Sequence, residues 1–155
     1  MSNIIIDPEA LIAEAHKAAA RAYAPYSRFH VGAALLFDDG STQGTVIRGA
    51  NFENASYGLS ICAETAALLE ANHHGLRTGL VAVAIVGGPP SDEDKATIIA
   101  NAVPVTPCGR CRQTLNEVAQ LGGTDPVIFC AHADGYAQHR LSELLPHAFG
   151  PANLD

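Results

Sequence analysis

Three cysteines are the residues of this chain whose types and spacing most clearly indicate chemistry. Cys108 and Cys111 are three residues apart, and Cys62 stands in a separate segment, two residues before Glu64. Cysteines at positions i and i+3 of a helix start can direct both sulfurs at one point, where unpaired backbone N–H groups and the helix dipole stabilise thiolates. We therefore predict that the three sulfurs bind one tetrahedral ion, zinc.

Glu64 supplies the predicted metal site with a base. Three protein ligands leave one coordination position open, which is typical of catalytic zinc. Because three thiolates outweigh the charge of Zn²⁺, water bound there is less acidic than at zinc held by neutral histidines, where its pKa is about 7. A carboxylate in the same first helical turn as Cys62 can take the proton of that water without binding the metal. We predict that Glu64 is the catalytic acid–base.

A closed, structural zinc site is the alternative. Cys130 or one of the seven histidines would then complete a set of four ligands, and the protein would be a non-catalytic, zinc-stabilised binding module. Cys130 lies within the apolar run Val127–Ala131, so we interpret it as a buried thiol in a strand, and the histidines show no ligand spacing. Glu64 favours catalysis, because a structural site has no use for a base beside an open position.

Alternating strand and helix patterns must position these residues. Asp7 and Pro8 predict the start of a first helix, with an apolar stripe from Leu11 to Ala22. The further predicted elements are strands 31–37 and 45–50, helix 62–72, strand 80–86, helix 108–120, strands 126–131 and 136–139, and a helical turn at 141–145. Residues 87–104 show no clear pattern. We predict one α/β domain over residues 1–155, a three-layer α-β-α sandwich with a mixed, about five-stranded sheet.

The composition excludes several classes of partner. Sixteen acidic and nine basic residues give a net charge of −7, which disfavours nucleic acid and anionic membranes. No apolar run approaches the roughly 18 residues of a membrane span, and the start, Met1–Ile4, lacks the pattern of a secretory signal. We expect a cytoplasmic protein with reduced cysteines and a small neutral or cationic substrate.

Four segments of the chain carry recognisable motifs: Tyr23–Ala34, Asn51–Tyr57, Cys62–Glu64 and Pro107–Gln113. Together they resemble the cytidine deaminases, specifically the small homotetrameric class with three zinc-binding cysteines. The resemblance implies the cytidine deaminase fold, one zinc ion per subunit and a homotetramer. It also implies hydrolysis of cytidine and 2′-deoxycytidine to uridine and 2′-deoxyuridine plus ammonia, in pyrimidine salvage.

The resemblance also implies roles for individual residues. Zinc activates a water that attacks C4 of cytosine, while Glu64 moves protons to N3 and to the departing amine. Asn51 and Glu53 bind the ribose hydroxyls, and backbone groups at Ala63 and around Pro107 read the edge of the base. Phe29 forms an aromatic wall of the base pocket. The last of these residues, Phe149, resembles a C-terminal phenylalanine that reaches the site of a neighbouring subunit.

One position departs from the family pattern. Many tetrameric members carry an arginine directly after the catalytic glutamate, where its charge offsets the thiolates, and this chain has Thr65 there. Our hypothesis at this point is that Arg112, next to Cys111, helps to balance the charge.

Deaminases of blasticidin-type nucleoside antibiotics are a close alternative in chemistry. They share the segment Pro107–Gln113, so this segment does not separate the two substrates. Asn51 and Glu53 favour an ordinary nucleoside.

Overall fold

The structure, a computed structural model, describes residues 3–154 and contains one mixed β-sheet. Its strands are β1 (His30–Phe37), β2 (Thr45–Ala50), β3 (Leu80–Gly88), β4 (Val127–His132) and β5 (Gly135–Arg140). They lie in the order β2-β1-β3-β4-β5. Only the β3–β4 pair is parallel among these neighbours, because the chain crosses over through α3 between those two strands. The predicted mixed five-stranded sheet is confirmed.

Helices cover both faces of the sheet. They are α1 (Pro8–Ala19), α2 (Ala63–His73), α3 (Gly109–Gly122) and the short α4 (Leu141–Leu144). Successive side chains of a strand alternate between faces, so Ala34, Leu36 and Val86 pack under α1, whereas Ala33, Leu35, Ile85 and Cys130 pack under α2 and α3. The predicted three-layer sandwich and the buried Cys130 thiol are confirmed. Within residues 3–154, none of the helices is both long and apolar enough to span a membrane.

Helix α1 ends earlier than predicted. The sequence stripe extended to Ala22, whereas the helix ends at Ala19. The backbone N–H groups of Arg21 and Ala22 donate to the carbonyls of Ala18 and Ala19, three residues back, at 2.8 and 3.1 Å. This tighter hydrogen bonding closes the helix, and Ala22 lies in the turn that follows.

The segment 87–104 is an extended excursion of the chain. Pro90 pairs with Ile98, and the Asn101 N–H returns to the Gly87 carbonyl at 2.9 Å. Ile98 is buried on the α1 side of the sheet. Through Ile98 this segment fills part of the core, and the chain then continues to Cys108 at the start of α3.

Close backbone packing holds α2 on the sheet. A Cβ atom at Gly49 in β2 would lie 2.3 Å from the backbone nitrogen of Ala67 in α2. Only glycine permits this approach. The helix that begins next to Cys62 is thereby placed directly on β2.

Candidate active site

The starts of α2 and α3 bring the three predicted cysteines together. Cys62 is the N-cap of α2, Cys108 is the N-cap of α3, and Cys111 lies in the first turn of α3. Neither N-cap sulfur bonds to its own helix, so both sulfurs are free to face a metal ion. The three Sγ atoms lie within 4.8 Å of one another, and those of Cys62 and Cys108 are 3.8 Å apart. Tetrahedral zinc with Zn–S bonds of about 2.3 Å needs sulfurs about 3.8 Å apart, so the donor set fits zinc.

The sulfur cluster favours negative charge at Cys62. The pKa of Cys62 is lowered to about 6, mainly by a hydrogen bond from the Cys111 thiol and further by one from Cys108 and by the charge of Arg110. The pKa of Cys111 is raised, first because it donates that bond and then because it is buried. Metal binding must therefore displace the proton from Cys111.

Thr65 contacts the cluster where the family pattern has arginine. Its hydroxyl oxygen lies 3.6 Å from the Sγ of Cys111. Once Cys111 is a thiolate, only the hydroxyl can donate in this pair. Thr65 therefore supplies a dipole to the sulfur, and Arg110 supplies the positive charge near Cys62.

Arg112 does not direct its hydrogen bonds at the sulfurs. Its Nε donates to the Pro107 carbonyl at 2.7 Å, Nη1 to the Leu144 carbonyl at 2.8 Å and Nη2 to the Thr106 hydroxyl at 3.3 Å. Arg112 therefore binds the polypeptide chain next to the site and not the sulfur atoms. These contacts give no support to the hypothesis that its charge balances the thiolates.

Glu64 is a buried carboxyl group beside the sulfur cluster. The residue is only 4% exposed, and its Oε2 lies 3.5 Å from the Sγ of Cys111. Burial is the main cause that raises the pKa of Glu64, and the charge of Cys62 raises it further. A carboxyl group with a raised pKa can gain and lose a proton closer to neutral pH.

A cavity of about 290 Å³ opens next to these groups, close to the lower size of pockets that hold small ligands, about 300 Å³. Polar and apolar residues from four parts of the chain line it: Val31, Asn51, Glu53, Ser60, Ile61, Cys62, Ala63, Glu64, Val105, Thr106 and Cys108. The structure thus places two predicted metal ligands, the predicted base and three predicted substrate residues on one cavity.

Asn51 ties its end of β2 to the start of β1. Its Oδ1 accepts from the Val31 N–H at 2.8 Å, and its Nδ2 donates to the Phe29 carbonyl at 2.9 Å. An amide side chain has two donor hydrogens and two acceptor sites, so one of each stays available to a ligand after these two bonds. Asn51 therefore both links β2 to the start of β1 and lines the cavity.

Glu53 is held by the turn at residues 26–27. Its carboxylate accepts from the backbone N–H groups of Tyr26 at 2.9 Å and Ser27 at 3.2 Å, and from the Ser27 hydroxyl. The hydroxyl bond is the largest of the causes that lower the pKa of Glu53. Glu53 is therefore an oriented carboxylate, suited to accept hydroxyl hydrogens of a ligand.

The other predicted substrate residues differ in position. Ala63 is fully buried and lines the cavity. Phe29 packs its ring on the backbone of Gly87, beside Val105, and is not one of the lining residues. Phe149 is 61% exposed, and its carbonyl accepts from the side-chain amides of α3 residues Gln113 and Asn116. Its ring therefore lies on the surface of this chain.

Sequence reasoning did not find several residues that line the cavity. Val31, Ile61 and Val105 form its apolar part, with Ser60 and Thr106 adding hydroxyls. Their residue types are common throughout proteins and do not by themselves indicate a site. Their adjacency in sequence to Cys62 and Cys108, or to the Phe29 segment, was the available signal.

Comparison with known proteins decides the family. Residues 6–128 match a family model described as the cytidine and deoxycytidylate deaminase zinc-binding region. The chain belongs to the cytidine deaminase family. The family prediction made from the sequence is confirmed, as is that of a zinc-binding enzyme domain.

Individual members of the cytidine deaminase family match along nearly the whole chain. A cytidine deaminase of Halalkalibacterium halodurans is 47% identical, covering 97% of this chain and 99% of the relative. One of Mycobacterium tuberculosis is 42% identical, with 96% and 94% covered. The crystal structure of cytidine deaminase from Burkholderia pseudomallei is 38% identical, covers 93% of this chain and 100% of that chain, and superposes with a TM-score of 0.76. The predicted cytidine deaminase fold is confirmed.

Proposed function

We propose that this protein hydrolyses cytidine and 2′-deoxycytidine to uridine and 2′-deoxyuridine, with release of ammonia. The observation that carries the proposal is the position of Glu64, a buried carboxyl group on the wall of the same cavity as Cys62 and Cys108. A structural metal site does not require such a group. A hydrolytic site does, because the attacking water must lose a proton.

Glu64 is the proton carrier of the proposed reaction. Zn²⁺ held by Cys62, Cys108 and Cys111 would supply the Lewis acid that makes a water nucleophilic at neutral pH. Glu64 takes a proton from the attacking water and passes it to N3 of the base. It then takes the second proton from the hydroxyl group now at C4 and passes it to the amino group. The C4–N bond breaks, ammonia leaves, and a carbonyl remains at C4. Burial raises the pKa of Glu64 and so favours its protonated form between these two transfers.

The sugar is proposed to bind at Asn51 and Glu53. Asn51 keeps one donor and one acceptor free beyond its two bonds to the start of β1. Glu53 presents a carboxylate that the turn at residues 26–27 orients. The base would lie against Val31 and Val105, with backbone groups at Ala63 and Pro107 reading its edge.

The proposed biological form is a cytoplasmic homotetramer that acts in pyrimidine salvage, with residues 1–155 as one domain. Phe149 supports an assembly because its ring is exposed while its backbone is fastened to α3. All four cysteines are free, and the three at the metal site must stay reduced to bind zinc, as they do in the cytosol.

The test measures deamination by the loss of ultraviolet absorbance as cytosine becomes uracil. Purified, zinc-loaded protein is given cytidine, 2′-deoxycytidine, cytidine monophosphate and blasticidin S in separate reactions. We expect turnover of the two nucleosides. Turnover of blasticidin S alone would overturn the substrate assignment, and no turnover of any compound by zinc-loaded protein would favour a binding module.

A further inference from the structure

The segment Val105–Cys108, which we name the entry segment, leads into α3. It contributes both to the cavity wall and to the sulfur cluster. Val105, Thr106 and Cys108 line the cavity, and Cys108 also belongs to the sulfur cluster. Helices usually fix their entry by a side-chain cap from the N-cap residue. The N-cap here is Cys108, whose sulfur makes no such bond. The side chain of the N-cap residue therefore does not fix the entry segment.

Arg112 holds the entry segment by donating to its acceptor atoms, whereas an N-cap side chain would accept from backbone N–H groups of the first turn. Two of its three hydrogen bonds reach back over the first turn of α3 to the entry segment, one to the carbonyl of Pro107 at 2.7 Å and one to the hydroxyl of Thr106 at 3.3 Å. The third donates to the carbonyl of Leu144, the last residue of α4, at 2.8 Å. A planar guanidinium group presents its donors in a fixed fork. The two middle residues of the entry segment, Thr106 and Pro107, are thereby linked to the end of α4 through one side chain.

Arg112 is half-buried at the edge of the protein core. The side chain is partly buried, and its charge acts on the thiol of Cys130, a fully buried residue of β4. The guanidinium therefore lies where α3, α4 and the sheet meet. Its three hydrogen bonds to separate parts of the chain favour one arrangement of the chain around it.

We propose that Arg112 is a positioning residue for this reaction: by holding Thr106 and Pro107, it sets the shape of the substrate cavity and the place of Cys108 in the sulfur cluster. The inference rests on the proposed function for its kinetic part. Its charge is not the property that matters. The property that matters is the fork geometry, which lysine lacks.

The test compares Arg112→Lys and Arg112→Gln with wild type, and uses Arg21→Gln as a matched control at an exposed arginine. For each protein we would measure kcat and KM for cytidine below the unfolding temperature, and the rate of zinc loss to a chelator. We expect both Arg112 variants to raise KM about tenfold and to lose zinc about tenfold faster, with a smaller change in kcat. Arg21→Gln should match wild type. A purely structural arginine would lower the unfolding temperature and leave KM of the folded protein unchanged.

Two results would overturn the inference. One is full recovery of KM and zinc retention in Arg112→Lys, which would show that charge alone suffices. The other is an unchanged KM and an unchanged rate of zinc loss in both variants. If the Arg112 variants do not fold, Thr106→Val removes one of the three contacts from the other side, and we expect KM to rise by about threefold; an unchanged KM would then refute the inference.

The failure of the proposed function gives a different result. In that case wild type and Arg21→Gln turn over no cytidine at all. The chelator measurement still decides the role of Arg112, because zinc loss is measured without substrate.

Discussion

The Sγ of Cys111 lies 3.5 Å from the Oε2 of Glu64, although 46 residues separate these two residues along the chain. Cys111 belongs to the first turn of α3, and Glu64 belongs to the first turn of α2. The contact joins the base to the metal-binding sulfurs across two helix starts. A proton acceptor is thereby placed beside the position where metal-bound water would stand.

Thr65 should contribute to zinc affinity through its hydroxyl group. Thr65→Val keeps the shape of the side chain and removes the donor that lies 3.6 Å from the Cys111 sulfur. We expect the affinity for zinc, measured by competition with a chromogenic chelator, to fall about fivefold, equivalent to about 1 kcal/mol for one hydrogen bond. Thr65→Ser is the control and should bind zinc as wild type does. Equal affinities for the valine and serine variants would contradict a role for the hydroxyl.

Zinc affinity should rise with pH. Because the pKa of Cys111 is raised above its usual value, this thiol is protonated throughout the neutral range and must release a proton when zinc binds. Cys62, with a pKa of about 6, adds a further proton only below that pH. A plot of the logarithm of affinity against pH should therefore steepen below about pH 6, measured with a chelator calibrated at each pH. A slope that stays constant from pH 5 to 8 would contradict the lowered pKa of Cys62.

Phe149 should act on a neighbouring subunit. Phe149→Ala is expected to raise KM for cytidine at least fivefold, since stacking of a base on an aromatic ring contributes about 1–3 kcal/mol. Leu154→Ala, another exposed apolar residue of the same tail, serves as the control and should be unchanged.

Mixed oligomers test whether that action is between subunits. When Phe149→Ala and Glu64→Gln chains are co-expressed, an intact Glu64 can meet an intact Phe149 only across an interface. Mixed oligomers should then have a lower KM than the Phe149→Ala protein alone. If the KM of the mixed oligomers equals that of the Phe149→Ala protein, Phe149 does not act across an interface.

Much of the fold was predictable because the elements carry local signals. Asp7 and Pro8 mark the start of α1, and Leu80–Val86 reads as a buried strand; the structure has both, with α1 starting at Pro8 and β3 extending to Gly88. The end of α1 was predicted three residues too late, because alanines such as Ala22 continue a helical pattern as easily as they enter a turn.

The zinc cluster was predictable because cysteine has few other uses in reduced, helix-starting positions. The residues around it were not. Val31 and Ile61 line the cavity only because distant segments meet there, and no local pattern records such a meeting. Arg112 is adjacent to Cys111 in sequence, which suggested charge compensation. Its hydrogen bonds to backbone carbonyls depend on where α4 ends, a tertiary feature that the sequence does not display.

The most direct test of the central claim is the turnover of cytidine by Glu64→Gln. Because glutamine has nearly the same shape as glutamate, zinc should bind as before. Glutamine cannot accept the proton of the attacking water. We expect kcat to fall by at least about a hundredfold, within the range known for general acid–base groups, about 10²–10⁴. A Glu64→Gln protein that retains one zinc ion per chain and turns over cytidine at the rate of wild type would contradict the assignment of Glu64 as the proton carrier.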